Sequence, residues 1–159
     1  MSGNLKEEIA RIERLISDHI DRHPGLKNDL KLLESIDGVG KQIGLNMLAV
    51  LRGNEFTSAE QVAAYVGVAP VERRSGTSVH RRTKLSKMGS SSMRAKLYMG
   101  ALTAISCNAH VKALYERLLL KGKAKMSAIG AAMRKQVHLC YGVLHTQQLY
   151  DKHYRIETR

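Results

Sequence analysis

The chain contains 159 residues, of which 43% are hydrophobic and only 4% are aromatic. This length suits one domain with a core of aliphatic side chains and methionine. No apolar run approaches the roughly 18 residues that a membrane span requires, the polar N-terminus has no signal-peptide features, and the two cysteines form no disulfide or metal motif. The composition therefore excludes membrane-spanning and disulfide-rich classes and predicts a cytoplasmic protein.

The charge is unevenly distributed along the chain. Residues 1–60 hold eight Lys and Arg and ten Asp and Glu, whereas residues 61–159 hold 18 and four, a net charge of +14. Because the neutralisation of phosphates releases condensed counterions, such a basic region favours a polyanionic partner. We therefore expect the second part of the chain to bind nucleic acid. A solvated basic surface, or a patch for a membrane surface, is the alternative interpretation.

An amphipathic helix is predicted over residues 5–20. Its apolar residues recur every three or four positions and form one narrow stripe of Leu5, Ile9, Ile12, Ile16 and Ile20. A stripe of this width fits a short coiled coil with a second copy of the chain, or the end of a longer helix from an upstream segment. We therefore treat residues 1–25 as a separate element, followed by a helical domain over 26–150 and a polar tail over 151–159.

Two further helices are predicted from Leu26 to about Ile36 and over Lys41–Leu51. The turn between them, with the sequence D-G-V-G, gives the outline of a helix-hairpin-helix motif. Its glycines allow a tight turn and leave main-chain N–H groups at a helix N-terminus, where the helix dipole favours a phosphate. The candidate phosphate-binding residues are Gly38, Gly40 and Lys41. A glycine turn that serves only helix packing is an equally good interpretation.

Helix-start and helix-stop signals continue through the rest of the chain. A capping box from Thr57 to Glu60 predicts a short helix that ends at Gly67. Three later helices are expected, which begin after Ser90 or Ser91, after Asn108, and at Ser127, the last of them ending near Leu144. The predicted fold class is therefore all-α, a compact bundle of about six or seven helices interrupted by one long basic loop.

The long basic loop, residues 72–89, carries the strongest candidate chemistry. A hydroxyl flanked by arginines suits phosphoryl transfer, because serine can attack phosphorus while guanidinium groups stabilise the charge on the phosphate oxygens. Ser75 is the candidate nucleophile, and Gly76 beside it lets the main chain approach a phosphate. A serine that only contacts phosphate or forms a turn is the alternative. The other candidate nucleic-acid contacts are Arg73, Arg74, His80, Arg81, Arg82, Lys84, Lys87 and Arg94.

A set of motifs in a fixed order produces a family resemblance over roughly residues 32–150. They are the G-V-G turn, the A-A-Y-V-G-V-A-P segment, the S-G pair, the K-x-G before a capped helix and the R-x-x-L-Y pattern. Together they resemble the C-terminal transposase domain of the insertion-sequence 110/116/902 type, the group that includes the pilin-gene inversion recombinase. Members of this family are DNA recombinases.

The resemblance implies a serine-nucleophile mechanism for DNA strand exchange. The family serine matches Ser75, which would form a covalent phosphoserine link to DNA, and Ser86 is the competing match. The resemblance also implies an N-terminal RNase-H-like domain that binds Mg²⁺ through an acidic quartet, a guide RNA encoded by the element, and a homo-oligomeric assembly. This sequence shows no counterpart of that quartet, so we interpret it as a fragment with no cofactor and no strand cleavage of its own. A non-catalytic nucleic-acid-binding or oligomerisation domain is the alternative function.

Overall fold

The computed structural model describes residues 2–71, 84–86 and 88–154, and every structural statement below refers to these residues. Their fold is the predicted compact all-α bundle, to which one short antiparallel ribbon is added. In chain order the elements are α1 (Ser2–Asp21), α2 (Pro24–Glu34), α3 (Lys41–Gly53), α4 (Ala59–Val66), β1 (Pro70–Val71), β2 (Lys84–Leu85), α5 (Ser91–Cys107), α6 (Ala109–Leu120) and α7 (Lys125–Thr146).

Helix α7 is the central helix of the bundle. It packs against α2, α3, α4, α5 and α6. Much of its surface consists of small and medium side chains, and Ala128, Ala132, Val137 and Cys140 are fully buried. Small side chains let neighbouring helices approach closely, which is how a protein interior reaches crystal-like packing density. A helix that the sequence predicts as the last of a series is therefore the axis around which the others pack.

Side-chain caps fix the starts of α5 and α6 at the predicted residues. Ser90 Oγ accepts a hydrogen bond from the main-chain N–H of Met93 at 3.2 Å. Asn108, which is fully buried, accepts from the N–H groups of His110 at 3.0 Å and Val111 at 3.1 Å. These bonds satisfy N–H groups that a helix start leaves without an internal partner.

The capping box of α4 lies one residue later than predicted. The N-cap is Ser58 and not Thr57, since Ser58 Oγ accepts from the N–H of Gln61 while the Gln61 side chain accepts from the N–H of Thr57. Two overlapping pairs have the required spacing, and the extended main chain of Ser58 selects the second pair over the one that ends at Glu60. The helix ends at Gly67, as predicted, in the left-handed conformation.

Helix α2 begins and ends two residues earlier than predicted. Pro24, two residues before the predicted start, is the first residue of this helix. Proline suits this position because the first N–H of a helix has no internal acceptor in any case. At the other end, the Ser35 hydroxyl donates to the carbonyl of Leu32 at 2.6 Å, and the chain turns there.

Helix α1 is formed as predicted but lies mostly outside the core. It contacts α2, and Ile20 near its C-terminal end is buried. The remaining members of its apolar stripe are exposed, from 42% at Ile16 to 65% at Leu5. The pairing of α1 with a second copy of the chain stays a prediction.

Candidate nucleic-acid interface

The two ends of the basic loop leave the bundle side by side. Strands β1 and β2 pair with Pro70 opposite Leu85, and the Ser86 N–H extends the pairing by donating to the carbonyl of Ala69 at 3.0 Å. The sequence predicted an irregular segment here, and the ribbon corrects that prediction. Lys84, a candidate nucleic-acid contact, lies in the ribbon and is exposed. The other candidates of the loop lie outside the described residues, namely Arg73, Arg74, Ser75, Gly76, His80, Arg81, Arg82 and Lys87.

Two glycines let the incoming and outgoing chain pass close to each other. Gly67 and Gly89 both have positive φ angles, of 85° and 92°. A Cβ on Gly67 would collide with the carbonyl of Met88, and a Cβ on Gly89 would collide with that of Tyr65. Arg94, predicted as a nucleic-acid contact, donates from Nη1 to the carbonyls of Gly89 at 3.1 Å and Met88 at 3.4 Å. Arg94 therefore holds the end of the basic loop against α5.

The base of the basic loop rests on α7. The side chain of Leu85 lies over Gly130, with an atom 3.5 Å from the position that a Cβ would occupy there. Arg134, one turn further along α7, donates from Nη1 to the carbonyl of Val68 at 3.1 Å. Burial lowers the pKa of Arg134 below its ordinary value. Sequence reasoning missed Arg134, because 66 residues separate it from Val68 and no local pattern connects the two.

Ser86, the competing match to the family serine, is poorly placed for attack on DNA. Its hydroxyl oxygen is buried and has no hydrogen-bond partner among the described residues. A nucleophile must come within contact distance of the phosphorus atom, and a buried hydroxyl at the base of the ribbon does not. The geometry therefore disfavours Ser86 as the nucleophile.

The first glycine of the G-V-G turn is a packing residue. Gly38 has a φ of 92° and lies so close to α5 that a Cβ would come within 2.8 Å of Ala104 Cβ. The Gly38 carbonyl accepts from Gln136 Nε2 at 3.2 Å, and the carbonyl of Asp37 accepts from Asn108 Nδ2 at 2.9 Å. For Gly38, the geometry supports the packing interpretation of the motif.

The second half of the turn is open to solvent. Gly40 is the N-cap of α3, and nothing lies within 4 Å of the position that its Cβ would take. No side chain from the described part of the chain caps this helix, so the N–H groups of its first turn are left at the positive end of the helix dipole. Lys41 is exposed at the same point. Gly40 and Lys41 thus combine an open helix N-terminus with a positive charge, which are features that phosphate sites in proteins use.

An open groove of about 850 Å³ runs from this turn along α5. Its polar lining includes Gln42, Ser92 and the half-buried Lys96. Lys96 Nζ donates to Asn46 Oδ1 at 3.5 Å, which holds the amine over the gap between α3 and α5. Sequence reasoning did not select Lys96 as a contact, because its position over this gap depends on packing between distant helices.

The donor set of the candidate interface suits phosphate oxygens rather than a metal ion. It consists of guanidinium and ammonium groups, main-chain N–H groups and hydroxyls. Within the described ranges, no group of three or more His, Cys, Asp and Glu side chains could hold a metal ion. In that same part of the chain, no helix is both long and apolar enough to cross a membrane.

Known proteins resemble this chain over most of its length. Residues 30–116 match the sequence model described as "Transposase IS116/IS110/IS902 family". The pilin gene-inverting proteins of Moraxella lacunata and Moraxella bovis are each 30% identical over 148 residues, 92% of this chain and 46% of theirs. The insertion element IS900 uncharacterized 42 kDa protein of Mycobacterium paratuberculosis is 26% identical over 92% of this chain and 36% of its own length. The chain therefore spans less than half the length of these relatives.

Proposed function

Because this chain belongs to the Transposase IS116/IS110/IS902 family, we propose that it binds DNA and presents Ser75 as the nucleophile for DNA strand exchange. The observation that carries the proposal is the base of the basic loop. Both ends of the loop meet in one ribbon, and Arg94 and Arg134 hydrogen-bond to the main chain on either side of it. A loop anchored in this way can present its tip to a ligand from a fixed point on the bundle.

The chemistry of the proposal needs a hydroxyl and several cations in one segment. The oxygen of Ser75 forms a bond to phosphorus and loses its proton, while a bond from phosphorus to a deoxyribose oxygen breaks and that oxygen takes up a proton. Arginines stabilise the charge that accumulates on the phosphate oxygens, because a planar guanidinium can contact two oxygens at once. Arg73 and Arg74 precede Ser75 directly in the sequence, and Arg81 and Arg82 follow within the same loop.

The open end of α3 supplies a place to hold the DNA backbone beside this loop. The uncapped N–H groups near Gly40 and the charge of Lys41 suit one phosphate. Lys96, in the groove that starts at the same turn, suits a neighbouring phosphate. Such contacts fix the position and register of DNA without reading its sequence.

Strand exchange in the complete recombinase requires more than this chain. We assign the Mg²⁺ to an N-terminal RNase-H-like domain, where it would polarise the phosphate under attack. The proposal also includes a guide RNA that selects the DNA sites and an assembly of several copies. Alone, the chain is expected to bind DNA without cleaving it, even when Mg²⁺ is added.

The test is to trap the covalent intermediate in a full-length recombinase that contains this domain. On a DNA substrate nicked so that religation fails, mass spectrometry should find an adduct on Ser75. Ser75→Ala should abolish the adduct and recombination while DNA affinity stays at the wild-type value. Ser86→Ala serves as the matched control, because it removes the competing hydroxyl from the same segment and should leave the adduct in place.

Normal recombination without the Ser75 hydroxyl would assign the chain to the class of non-catalytic binding domains. If Ser75→Ala recombines normally, or if the adduct forms on another residue, the basic loop only binds nucleic acid. The domain would then be a non-catalytic helical module that holds the nucleic-acid backbone.

A further inference from the structure

A second concentration of positive charge lies on the hairpin formed by α6 and α7. Residues 117–135 contain six Lys and Arg and no Asp or Glu. Four of the six side chains are exposed, and two on α7 are half-buried. We call this set the α6–α7 surface, and its members are Arg117, Lys121, Lys123, Lys125, Arg134 and Lys135.

Arg117 on α6 and Lys135 on α7 lie close enough in the folded chain for their charges to interact, and Arg134 directly precedes Lys135. Burial lowers the pKa of Lys135 from its ordinary 10.5, and the positive charge of Arg117 lowers it further. Burial also lowers the pKa of Arg134. In the described part of the chain, none of the six forms a salt bridge. The carboxylate of Glu60 lies near α7, but the side chain whose pKa it raises is His138. Like charges brought together with partial desolvation destabilise the fold, which is typical of a site that binds a ligand of opposite charge.

The α6–α7 surface is continuous with the base of the basic loop. Arg134 is bonded to Val68, two residues before β1, and Gly130 one turn earlier on α7 lies under Leu85 of β2. Lys135 follows Arg134 directly, and the charge of Arg117 on α6 reaches Lys135. A polyanion that leaves the basic loop along α7 would therefore meet these cations next.

The spacing of the cations suits the phosphates of one strand of a duplex, measured along the helix axis. Lys125 and Lys135 are separated along α7 by about 15 Å, at 1.5 Å per residue. This length corresponds to roughly four nucleotides of one strand, at about 3.4 Å each. The guanidinium of Arg134 uses Nη1 in its bond to Val68, and its other nitrogens still carry donors that suit phosphate oxygens.

We propose that the α6–α7 surface is a second binding site for the phosphodiester backbone of nucleic acid, beyond the basic loop and the open end of α3. The inference rests on the proposed function only in requiring that the chain binds nucleic acid at all. The competing partner is an anionic membrane, since Leu120 and Met126 at the tip of the hairpin are 88% and 65% exposed. A flat membrane that receives this tip would leave Arg134 and Lys135, farther along the hairpin, without a partner.

The experiment measures the binding of this chain to fluorescent probes across a salt series. The probes are a DNA duplex, an RNA duplex of the same length, and vesicles that contain phosphatidylserine. The test variant combines Arg117→Gln with Lys135→Gln, and the matched control combines Lys6→Gln with Arg14→Gln on α1, which removes the same charge elsewhere. The test variant should bind nucleic acid roughly tenfold more weakly at low salt, and its plot of log affinity against log salt should be shallower by about 1.8, or 0.9 per lost phosphate contact. The control should match the wild type, and the duplex whose binding changes more identifies the natural source of the backbone.

A second variant shows whether a loss of binding comes from the lost charges or from a damaged fold. Lys121 and Lys123 are exposed residues of the turn between α6 and α7, so Lys121→Gln with Lys123→Gln leaves the core intact. This variant should also weaken nucleic-acid binding and flatten its salt dependence. The inference is overturned if the wild type binds a duplex and both variants bind it as the control does, or if both lose affinity for vesicles alone. Failure of the wild type to bind either duplex would instead overturn the proposed function together with this inference.

Discussion

Gln136 on α7 donates a hydrogen bond from Nε2 to the main-chain oxygen of Gly38, 3.2 Å away in space and 98 residues earlier in the chain. Gly38 also lies against Ala104, so the G-V-G turn is fixed between α5 and α7. Gly40, two residues later, has no atom of the described residues within 4 Å of its Cβ position. The two glycines of one motif therefore have different roles, since Gly38 positions the turn and Gly40 leaves its outer side open.

This difference predicts opposite results for two alanine substitutions. Gly38→Ala should lower the free energy of unfolding by about 2–4 kcal/mol, because overpacking costs about 1–3 kcal/mol and the left-handed conformation adds about 1 kcal/mol. Gly40→Ala, the comparison variant, should lower it by no more than about 1 kcal/mol, because alanine is only a poorer N-cap for α3 than glycine. Urea unfolding followed by circular dichroism measures both. Equal losses for the two variants would contradict the packing role of Gly38.

Asn108 connects the start of α6 to the turn and to the C-terminal segment. It caps α6, donates to the carbonyl of Asp37, and accepts from the hydroxyl of Tyr150 at 3.0 Å. Asn108→Ala should therefore cost about 2–4 kcal/mol in thermal or urea unfolding, the sum of a lost cap and of buried polar groups left without partners. Ser90→Ala, which removes a cap alone, should cost about 1 kcal/mol. A loss at Asn108 as small as that at Ser90 would show that the bonds to Asp37 and Tyr150 add nothing.

Local signals in the sequence were sufficient to predict most helix starts and stops. A cap is a bond between residues two or three positions apart, so Ser90, Asn108 and Gly67 could be recognised without knowledge of the fold. Helix α1 could be predicted for the same reason, because helical periodicity depends on neighbouring residues alone. The prediction at Thr57 was wrong because two overlapping pairs, Thr57 with Glu60 and Ser58 with Gln61, both have the spacing of a capping box.

Contacts between distant segments could not be predicted in this way. Strands of two residues carry no periodicity, so nothing in Pro70–Val71 or Lys84–Leu85 predicts their pairing. The bond from Arg134 to Val68 joins a helix to a loop that is 66 residues away. The helix-hairpin-helix outline predicted a turn but not that Gly38 would pack on α5. The candidate nucleophile Ser75 lies outside the described residues, and its role stays a prediction.

The partly buried position of His138 predicts that its protonation in mild acid lowers the stability of the fold. Burial lowers the pKa of His138 from its ordinary 6.5, and the charges of Lys135 and Arg134 lower it further against the opposing effect of Glu60. The unfolded chain therefore takes up this proton at a higher pH than the folded chain does. The contribution of His138 is fully present above about pH 6.5 and declines as the pH falls toward the folded pKa.

The measurement is the free energy of unfolding between neutral pH and mild acid. His138→Gln should make this free energy fall less steeply with acidification than it does in the wild type. His153→Gln, at an exposed position, is the matched control and should keep the wild-type slope. A proton NMR titration of His138 should give a midpoint below 6.5, and a midpoint above that value would contradict the prediction.

The open end of α3 predicts one phosphate contact that can be separated from stability. Lys41→Gln should weaken the binding of a DNA duplex and make the slope of log affinity against log salt shallower by about 0.9, because one phosphate contact is lost. Lys31→Gln removes the same charge from an exposed site on α2 and should leave the slope unchanged. A slope for Lys41→Gln equal to that for Lys31→Gln would mean that the Lys41 side chain contacts no phosphate.

Gly40→Ala tests the main-chain part of the same contact. Its methyl group enters space that no described residue occupies, so the free energy of unfolding should fall by no more than the roughly 1 kcal/mol that a poorer N-cap costs. That space adjoins the uncapped N–H groups of α3, where a phosphate would approach the main chain. Gly40→Ala should therefore bind DNA more weakly while it remains fully folded, whereas wild-type affinity in this variant would place the phosphate on the Lys41 side chain and not on the helix N-terminus. Measured together, Lys41→Gln and Gly40→Ala separate two parts of the contact. The first is the charge of the Lys41 side chain, which salt screens, and the second is the close approach of the phosphate to the main chain, which salt does not prevent.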